Sequence, residues 1–255
     1  MINMKHLKRL LGKAIHQWQM IAQGDQIAVA LSGGKDSSLL LYLLTQLQKS
    51  APVNFSLTAL HIDIGWGMDT APLHSFCQNL GVKLQVEKTQ IAAILNQRGE
   101  KNPCSLCANM RRGALYRKAC SLGISKVALA HHLDDAIETL LLNMFYAGSL
   151  KSFQPLSYLD RTKVTIIRPL IYLPEEEIAT AAARLQIPVL ANPCPHSGHT
   201  SRQDMKDLIK QLEVKIPRIR QNLLSALRGG AKNKLWAAIP KEGETQRPGP
   251  KDYLC

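Results

Sequence analysis

An α/β fold, with an open, doubly wound parallel sheet of about five strands covered by helices, is what this sequence predicts. Three observations carry that expectation. Short apolar runs such as Gln26 to Leu31 and Asn54 to Asp63 alternate with longer segments of helical periodicity. A glycine-rich turn, Ser32-Gly33-Gly34-Lys35-Asp36-Ser37, stands between the first apolar run and the helical one that follows. Polar residues, among them Asp63 and the segment His131 to Asp135, gather where strands end, which is where sheets of this kind bind ligands.

Taken in order, Lys5 to Ile21 has apolar residues at Leu7, Leu10, Leu11, Ala14, Ile15, Trp18 and Ile21, the spacing of an amphipathic helix, which Gly24-Asp25 should end. Its other face carries Lys5, Lys8, Arg9, Lys13 and His16, and suits either plain solvation or an RNA backbone. The strand Gln26 to Leu31 leads through the turn into the apolar helix around Ser38 to Leu44, and a second strand ends at Asp63. Pro72 to Leu80 reads as a helix, Val82 to Glu87 as a third strand and Ile91 to Gln97 as a short helix. Cys104 to Leu122 is helical with Gly123 as its stop, and Lys126 to Ala130 is a fourth strand. A loop and a long helix occupy His131 to Ala147, and Val164 to Leu170 forms a fifth strand. Pro174-Glu175-Glu176-Glu177 reads as a helix start with proline at its first position, and two more helices follow at Gln203 to Leu212 and Pro217 to Leu227. The organisation is then a helical segment over 1–24, a nucleotide-binding α/β domain over 25–186, a helical segment over 187–239 and a poorly ordered tail over 240–255.

Composition narrows the class. The 255 residues, 45% of them hydrophobic, are enough for a sizeable core. No apolar stretch reaches the roughly 18 residues of a membrane span and the start lacks a signal-peptide core, so a cytoplasmic protein without membrane attachment is expected. A net charge of +13 favours a polyanionic partner, because Lys and Arg release counterions from phosphates. Six cysteines without a secretory signal point to reduced thiols with particular tasks.

The turn carries the first chemistry. Its glycines let backbone approach a ligand, and amides at a helix N-terminus favour phosphate. It has neither the Walker A spacing nor the dinucleotide pattern G-x-G-x-x-G. In His131-His132-Leu133-Asp134-Asp135-Ala136-Ile137-Glu138, neighbouring carboxylates call for a compensating cation such as Mg²⁺, or for a capping role at the helix start. A zinc site on His131 and His132 is disfavoured, since neighbours on a strand point to opposite faces. Cys104 and Cys107 open a helix, where the dipole should lower a thiol pKa. Cys77, Cys120 and Cys255 are isolated, leaving Cys194 in Asn192-Pro193-Cys194-Pro195 as the best third thiol. Three thiolates suit an iron–sulfur cluster with one open iron, a redox dithiol needs only the pair, and buried thiols without chemistry remain the plain alternative. Arg111 and Arg112, a turn beyond Cys107, can face the crevice or solvent.

The turn resembles the PP-loop of ATP pyrophosphatases, which split ATP between its α and β phosphates to adenylate a substrate. Together with Cys104-x-x-Cys107-x-x-x-Arg111-Arg112-Gly113, His131-His132-x-Asp134-Asp135, Asn143-Met144-Phe145-Tyr146 and Arg168-Pro169-Leu170, it resembles the TtcA family of tRNA 2-thiocytidine synthetases over roughly Gln17 to Leu212. That resemblance implies the adenine nucleotide alpha hydrolase type of sheet and conversion of cytidine 32 in the anticodon loop to 2-thiocytidine. It also implies a [4Fe–4S] cluster on Cys104, Cys107 and Cys194, with ATP and Mg²⁺ bound beside it. Ser32, Gly33, Gly34, Lys35, Asp36 and Ser37 would hold the nucleotide, with Asp63 and His131 at neighbouring strand ends. Asp36, Asp134, Asp135, Arg111, Cys104 and Cys107 would carry catalysis. The implied partners are tRNA, a sulfur donor, either a cysteine desulfurase or free sulfide, and a second copy in a homodimer. Many relatives have another Cys three residues after the late one, where this chain has Ser197, and Gly198-His199-Thr200-Ser201-Arg202 also departs from their usual pattern.

The expected reaction adenylates the C2 oxygen of a pyrimidine and replaces it with sulfur. Thiolation of another tRNA uridine or of a small molecule, amidation by the same activation, and a nucleotide-gated RNA-binding protein without turnover are the competing readings. The cysteine set argues against the last two.

Overall fold

The computed structural model describes residues 4–98, 103–191, 193–195 and 201–228. Its elements run α1 (Met4–Gln17), β1 (Gln26–Ala30), α2 (Lys35–Gln48), β2 (Ser56–Asp63), α3 (Ala71–Leu80), β3 (Lys83–Lys88), α4 (Ile91–Arg98) and α5 (Pro103–Ser121). Then follow β4 (Lys126–Ala128), α6 (Leu133–Ala147), β5 (Leu156–Leu159), β6 (Val164–Ile167), α7 (Glu175–Arg184), α8 (Ser201–Lys215) and α9 (Ile219–Leu227). The sheet order is β3-β2-β1-β4-β6-β5. All pairings are parallel except β5 with β6. The chain winds outward from β1 through β2 to β3, then returns to place β4 on the other side of β1. That reversal opens a crevice beyond the C-terminal ends of β1 and β4.

The inner strands β1, β2, β4 and β6 are largely buried, so they read as apolar runs and not as alternating ones. Ile27 and Val29 join a cluster with Leu7 of α1, Leu40 of α2, Ile137 of α6 and Ile178 of α7. Ala28, between them, joins a second cluster with Leu95 of α4 and Leu115 of α5. Met205, Ile209 and Leu227 bring α8 and α9 into the first cluster.

The α/β class agrees with the sequence, and four details do not. The sheet has six strands among the described residues: Leu156–Leu159 pairs antiparallel with β6 through a tight connection at 160–163 that includes Lys163 at φ 54. This edge strand has only four residues and leaves Tyr158 exposed, so it presents no apolar run to recognise. The fourth and fifth strands stop at Ala128 and Ile167, short of Ala130 and Leu170. Helix α1 stops at Gln17, short of Ile21, in a Schellman motif: Met20 N donates to Ile15 O and Gln19 N to His16 O, with Gln19 left-handed at φ 47. Pro174 is the extended residue before α7 and not its first helical residue. The tail over 240–255, Cys255, Ser197 and Gly198 to Thr200 lie outside the described residues. No helix among the described residues is long and apolar enough to cross a membrane.

Candidate functional site

The glycine-rich turn joins β1 to α2 and is shaped by its own serines. Ser32 N donates to Ser37 Oγ at 3.1 Å, the two hydroxyls lie 3.0 Å apart, and Ser37 Oγ donates to Gly34 O at 3.0 Å. Gly33 has φ +88, and a Cβ there would come within 3.0 Å of Leu190 Cδ1. Both conformation and space therefore require glycine. Leu190 N also donates to Gly33 O at 2.8 Å, tying the segment that leads to Cys194 onto the turn. No side chain caps α2, so the first amides of this helix lack the usual internal acceptor and suit an anion.

Lys35 Nζ lies 3.0 Å from Glu175 Oε1 and 3.1 Å from Asp36 Oδ1. Burial lowers the Lys35 pKa, but the Glu175 hydrogen bond and both carboxylates outweigh it and raise it overall. Asp36 Oδ1 is buried with no properly oriented hydrogen bond, only the Lys35 ammonium beside it.

A cavity of about 230 Å³ opens beside the turn, lined by Ser32, Gly33, Gly34, Asp63, Arg111 and Pro193 among others. Asp63 ends β2, and its Oδ1 accepts Gly65 N at 2.9 Å. His61 and Trp66 also line this cavity and were not singled out from the sequence. His61 is buried and its Nδ1 lies 2.7 Å from Leu31 O, so that nitrogen carries the hydrogen and Nε2 is left as an acceptor. Burial lowers its pKa, the Arg111 charge adds to the effect, and the imidazole stays neutral. A lone histidine inside a strand gave no signal; its place at the strand's C-terminal end was the clue.

Cys104 and Cys107 lie in the first turns of α5, and Cys194 follows the cavity-lining Pro193. None of the three is in a disulfide. Cys107 is partly buried against the second apolar cluster. Its pKa is raised, first by burial and then by the charges of Cys194 and Cys104, while Arg111 opposes the rise. The helix-dipole expectation of a lowered thiol pKa is thus corrected for Cys107, because packing against the second apolar cluster draws it out of water. Cys107 feels the charges of both Cys104 and Cys194, and among the described residues no three His, Cys, Asp or Glu side chains close around a single ion. Arg111 faces the cavity, whereas Arg112 bonds Asn109 on its own helix. Cys77 is buried, its thiol pushed up to about 11, and Cys120 donates to Thr162 O, so neither takes part.

The acids at the start of α6 are engaged by protein partners. His132 is the N-cap, with Asp135 N donating to its Nδ1 while His132 N donates to Asp135 Oδ2. Capping therefore occurs, but with histidine as the cap in place of the expected Asp134 or Asp135. Asp134 is buried, accepts Glu175 N at 2.7 Å at the start of α7, and pairs with Arg220 of α9. Asp135 and the fully buried Glu138 share Arg202 of α8, at 3.1 and 3.0 Å. Burial pushes Glu138 up to about 7 despite Arg202. Glu175, held between Lys35 and Lys206, is lowered to about 2 although burial works the other way. His131 lies outside the cavity lining, its ring against Phe153 and its Nδ1 accepting from Arg168 Nε at 3.1 Å. Burial and the Arg168 charge hold its pKa well below the ordinary value.

The arrangement offers a phosphate cradle, an acid, an arginine and three thiols around one end of the sheet. A family model described as a PP-loop domain matches residues 3–212. The chain is 44% identical over 228 residues to the tRNA-cytidine(32) 2-sulfurtransferase of Pelobacter propionicus, covering 88% of this chain and 85% of that protein. It is 40% identical to the tRNA-cytidine(32) 2-sulfurtransferase of Syntrophotalea carbinolica, covering 88% of each chain. Among solved structures it is similar to the U34-tRNA thiolase NcsA of Methanococcus maripaludis with its [4Fe–4S] cluster, at TM-score 0.70 and 25% identity over 87% of this chain and 77% of that one.

Proposed function

The chain belongs to the PP-loop domain family and, within it, to the tRNA-cytidine(32) 2-sulfurtransferases, and on that premise we propose that it thiolates tRNA at the expense of ATP. The observation that carries the reading is that one cavity is lined both by the turn before an uncapped helix and by Arg111 and Pro193, the neighbours of the thiols. The base acted on is cytidine 32, as in the relatives' names, and the reaction takes place in the cytoplasm.

In the first step the C2 oxygen of the pyrimidine attacks the α-phosphorus of ATP, the α–β bridging bond breaks, and pyrophosphate leaves. Backbone amides of Gly33 and Gly34 and the start of α2 stabilise the departing charge without reorganising. Lys35 exchanges Glu175 for a phosphate oxygen. Asp36, whose Oδ1 has no oriented hydrogen bond, holds the Mg²⁺ that accompanies the nucleotide. Asp63 and neutral His61 offer acceptors on the far wall. In the second step sulfur attacks C2, the C2–O bond breaks, and AMP leaves; Arg111 compensates the adenylate charge.

Cys104, Cys107 and Cys194 fit a [4Fe–4S] cluster by donor set: three thiols, none in a disulfide, with Cys107 under the influence of the other two and of the cationic Arg111. When bound, the cluster would supply a place to present the attacking sulfur to the activated base. The chain's own part is to shield Cys107 by packing it against the second apolar cluster, and to fix the Cys194 segment on the turn through the Leu190 to Gly33 bond. Asp134, Asp135 and His131 hold the floor of the crevice through their caps and ion pairs. The sulfur enters as sulfide-level sulfur, either free sulfide or a cysteine desulfurase persulfide reduced by two electrons from a thiol reductant, and the homodimer is the working assembly.

The test is the thionucleoside profile of tRNA from a strain lacking this protein, with pyrophosphate release measured on adding ATP and tRNA to the anaerobically reconstituted protein. Loss of 2-thiocytidine alone is expected; an unchanged profile would sink the tRNA assignment. Cys194→Ala should remove the visible absorbance of the reconstituted cluster, and retention would eliminate it as the third ligand.

A further inference from the structure

Helix α1 concentrates positive charge more than any acid in it can balance. Its fourteen residues hold Lys5, Lys8, Arg9 and Lys13, two histidines and no Asp or Glu. The four cations are exposed, as is His16, whereas Leu7, Leu11 and Ala14 on the opposite face are buried in the main core. Four of the chain's 32 Lys and Arg residues thus stand on one face of one helix with no acid among them. At about 1.5 Å per residue, Lys5 to Lys13 covers about 12 Å.

The helix is also fixed in place. Near its start His6 lies 3.6 Å from Glu177, two residues beyond the Glu175 that grips Lys35 of the turn. At its end Trp18 Nε1 donates to Tyr172 Oη at 2.8 Å, and Tyr172 Oη donates to Gln17 at 3.0 Å. Both ends therefore rest on the segment 172–177, which begins beyond the C-terminal end of β6 and reaches the nucleotide turn. Lys13 itself lies 5.8 Å from the Tyr172 ring centre, and one further cation, Arg228, lies 4.1 Å from it.

We propose that the exposed face of α1, with Lys5, Lys8, Arg9 and Lys13, is a docking surface for the phosphate backbone of the tRNA, placed on the rim of the nucleotide crevice. This rests on tRNA being the substrate, as argued above. A rigid cationic row next to the crevice neutralises backbone phosphates and releases their counterions while the modified base enters the site. A basic amphipathic helix can also lie on an anionic membrane, but that requires its apolar face, and here that face is buried in the core.

The test compares the wild-type protein with K5Q/K8Q/R9Q/K13Q, a set that keeps helix-forming polar residues at exposed positions. Affinity for tRNA is measured at several salt concentrations, together with ATP affinity and the thermal midpoint. The expected result is binding at least about tenfold weaker, with the slope against log salt shallower by about one for each cation that meets a phosphate, while ATP affinity and the midpoint are unchanged. Wild-type binding that is matched by the variant, with the same slope, overturns the docking surface and leaves the tRNA reading intact. Wild-type protein that binds no tRNA defeats the tRNA reading itself. Loss of binding to phosphatidylserine vesicles, with tRNA binding retained, would assign the face to a membrane.

Discussion

Two charged regions meet at the C-terminal edge of this sheet, and they are built in opposite ways. Around the starts of α6 and α7, Asp134, Asp135, Glu138 and Glu175 are matched by Arg220, Arg202, Lys206 and Lys35. At the turn before α2, the helix start has no side-chain cap and Asp36 Oδ1 has no oriented hydrogen bond. The first region is already neutral and holds elements together. The second keeps one cation, Lys35, shared between Asp36 and Glu175, and leaves its helix start without a side-chain cap, which is the condition of a site that accepts an anion. Charge clustering alone does not distinguish the two; the presence of internal partners does.

The sharpest way to break this contrast is to exchange the two roles. Asp36→Asn should reduce ATP-dependent pyrophosphate release by about a hundredfold or more, the scale of losing a preorganised electrostatic contact, with little change in stability. A smaller change in rate would mean that the acids at the start of α6 serve the nucleotide instead. Arg202→Met should do the reverse. Leaving Glu138 without its close partner should cost on the order of 3 kcal/mol in a denaturant titration, with pyrophosphate release per folded molecule within about twofold. A large rate loss at full stability would move Arg202 into the chemistry.

The smallest effect is in the pH dependence of stability, where the two acids act with opposite sign. Glu175 has a folded pKa of about 2, below its ordinary value, so its contribution is present above the unfolded pKa and is lost as pH falls toward 2. Glu138 has a folded pKa of about 7, above its ordinary value, so the folded state holds the extra proton and stability declines as pH rises from the unfolded pKa toward 7. Thermal midpoints between pH 4.5 and 7 should therefore show a decline that Glu138→Gln removes. The same slope in the variant would show that Glu138 titrates normally.

Much of this was readable from the chain. The α/β class, nearly every helix and the nucleotide turn follow from apolar periodicity and from glycine between two hydrophobic runs, both local properties. The place of Asp63 at a strand end beside the cavity and of the Cys-x-x-Cys pair at a helix start followed from local pattern as well. The edge strand Leu156–Leu159 was not, because four residues with one exposed face carry too little pattern. The partners of Asp134, Asp135 and Glu138 were not either, since Arg202 and Arg220 lie more than sixty residues away in sequence.

The sequence by itself thus determined which residues could bind phosphate, metal and sulfur, since residue type and local spacing set that capacity. Only the tertiary structure decided which of them are available. Burial raised Cys107 where the helix start alone would lower it, and distant cations closed the acid cluster while no side chain came to cap α2. Desolvation and charge pairing depend on what packs nearby in space, and that is settled only when the helices come together over the sheet.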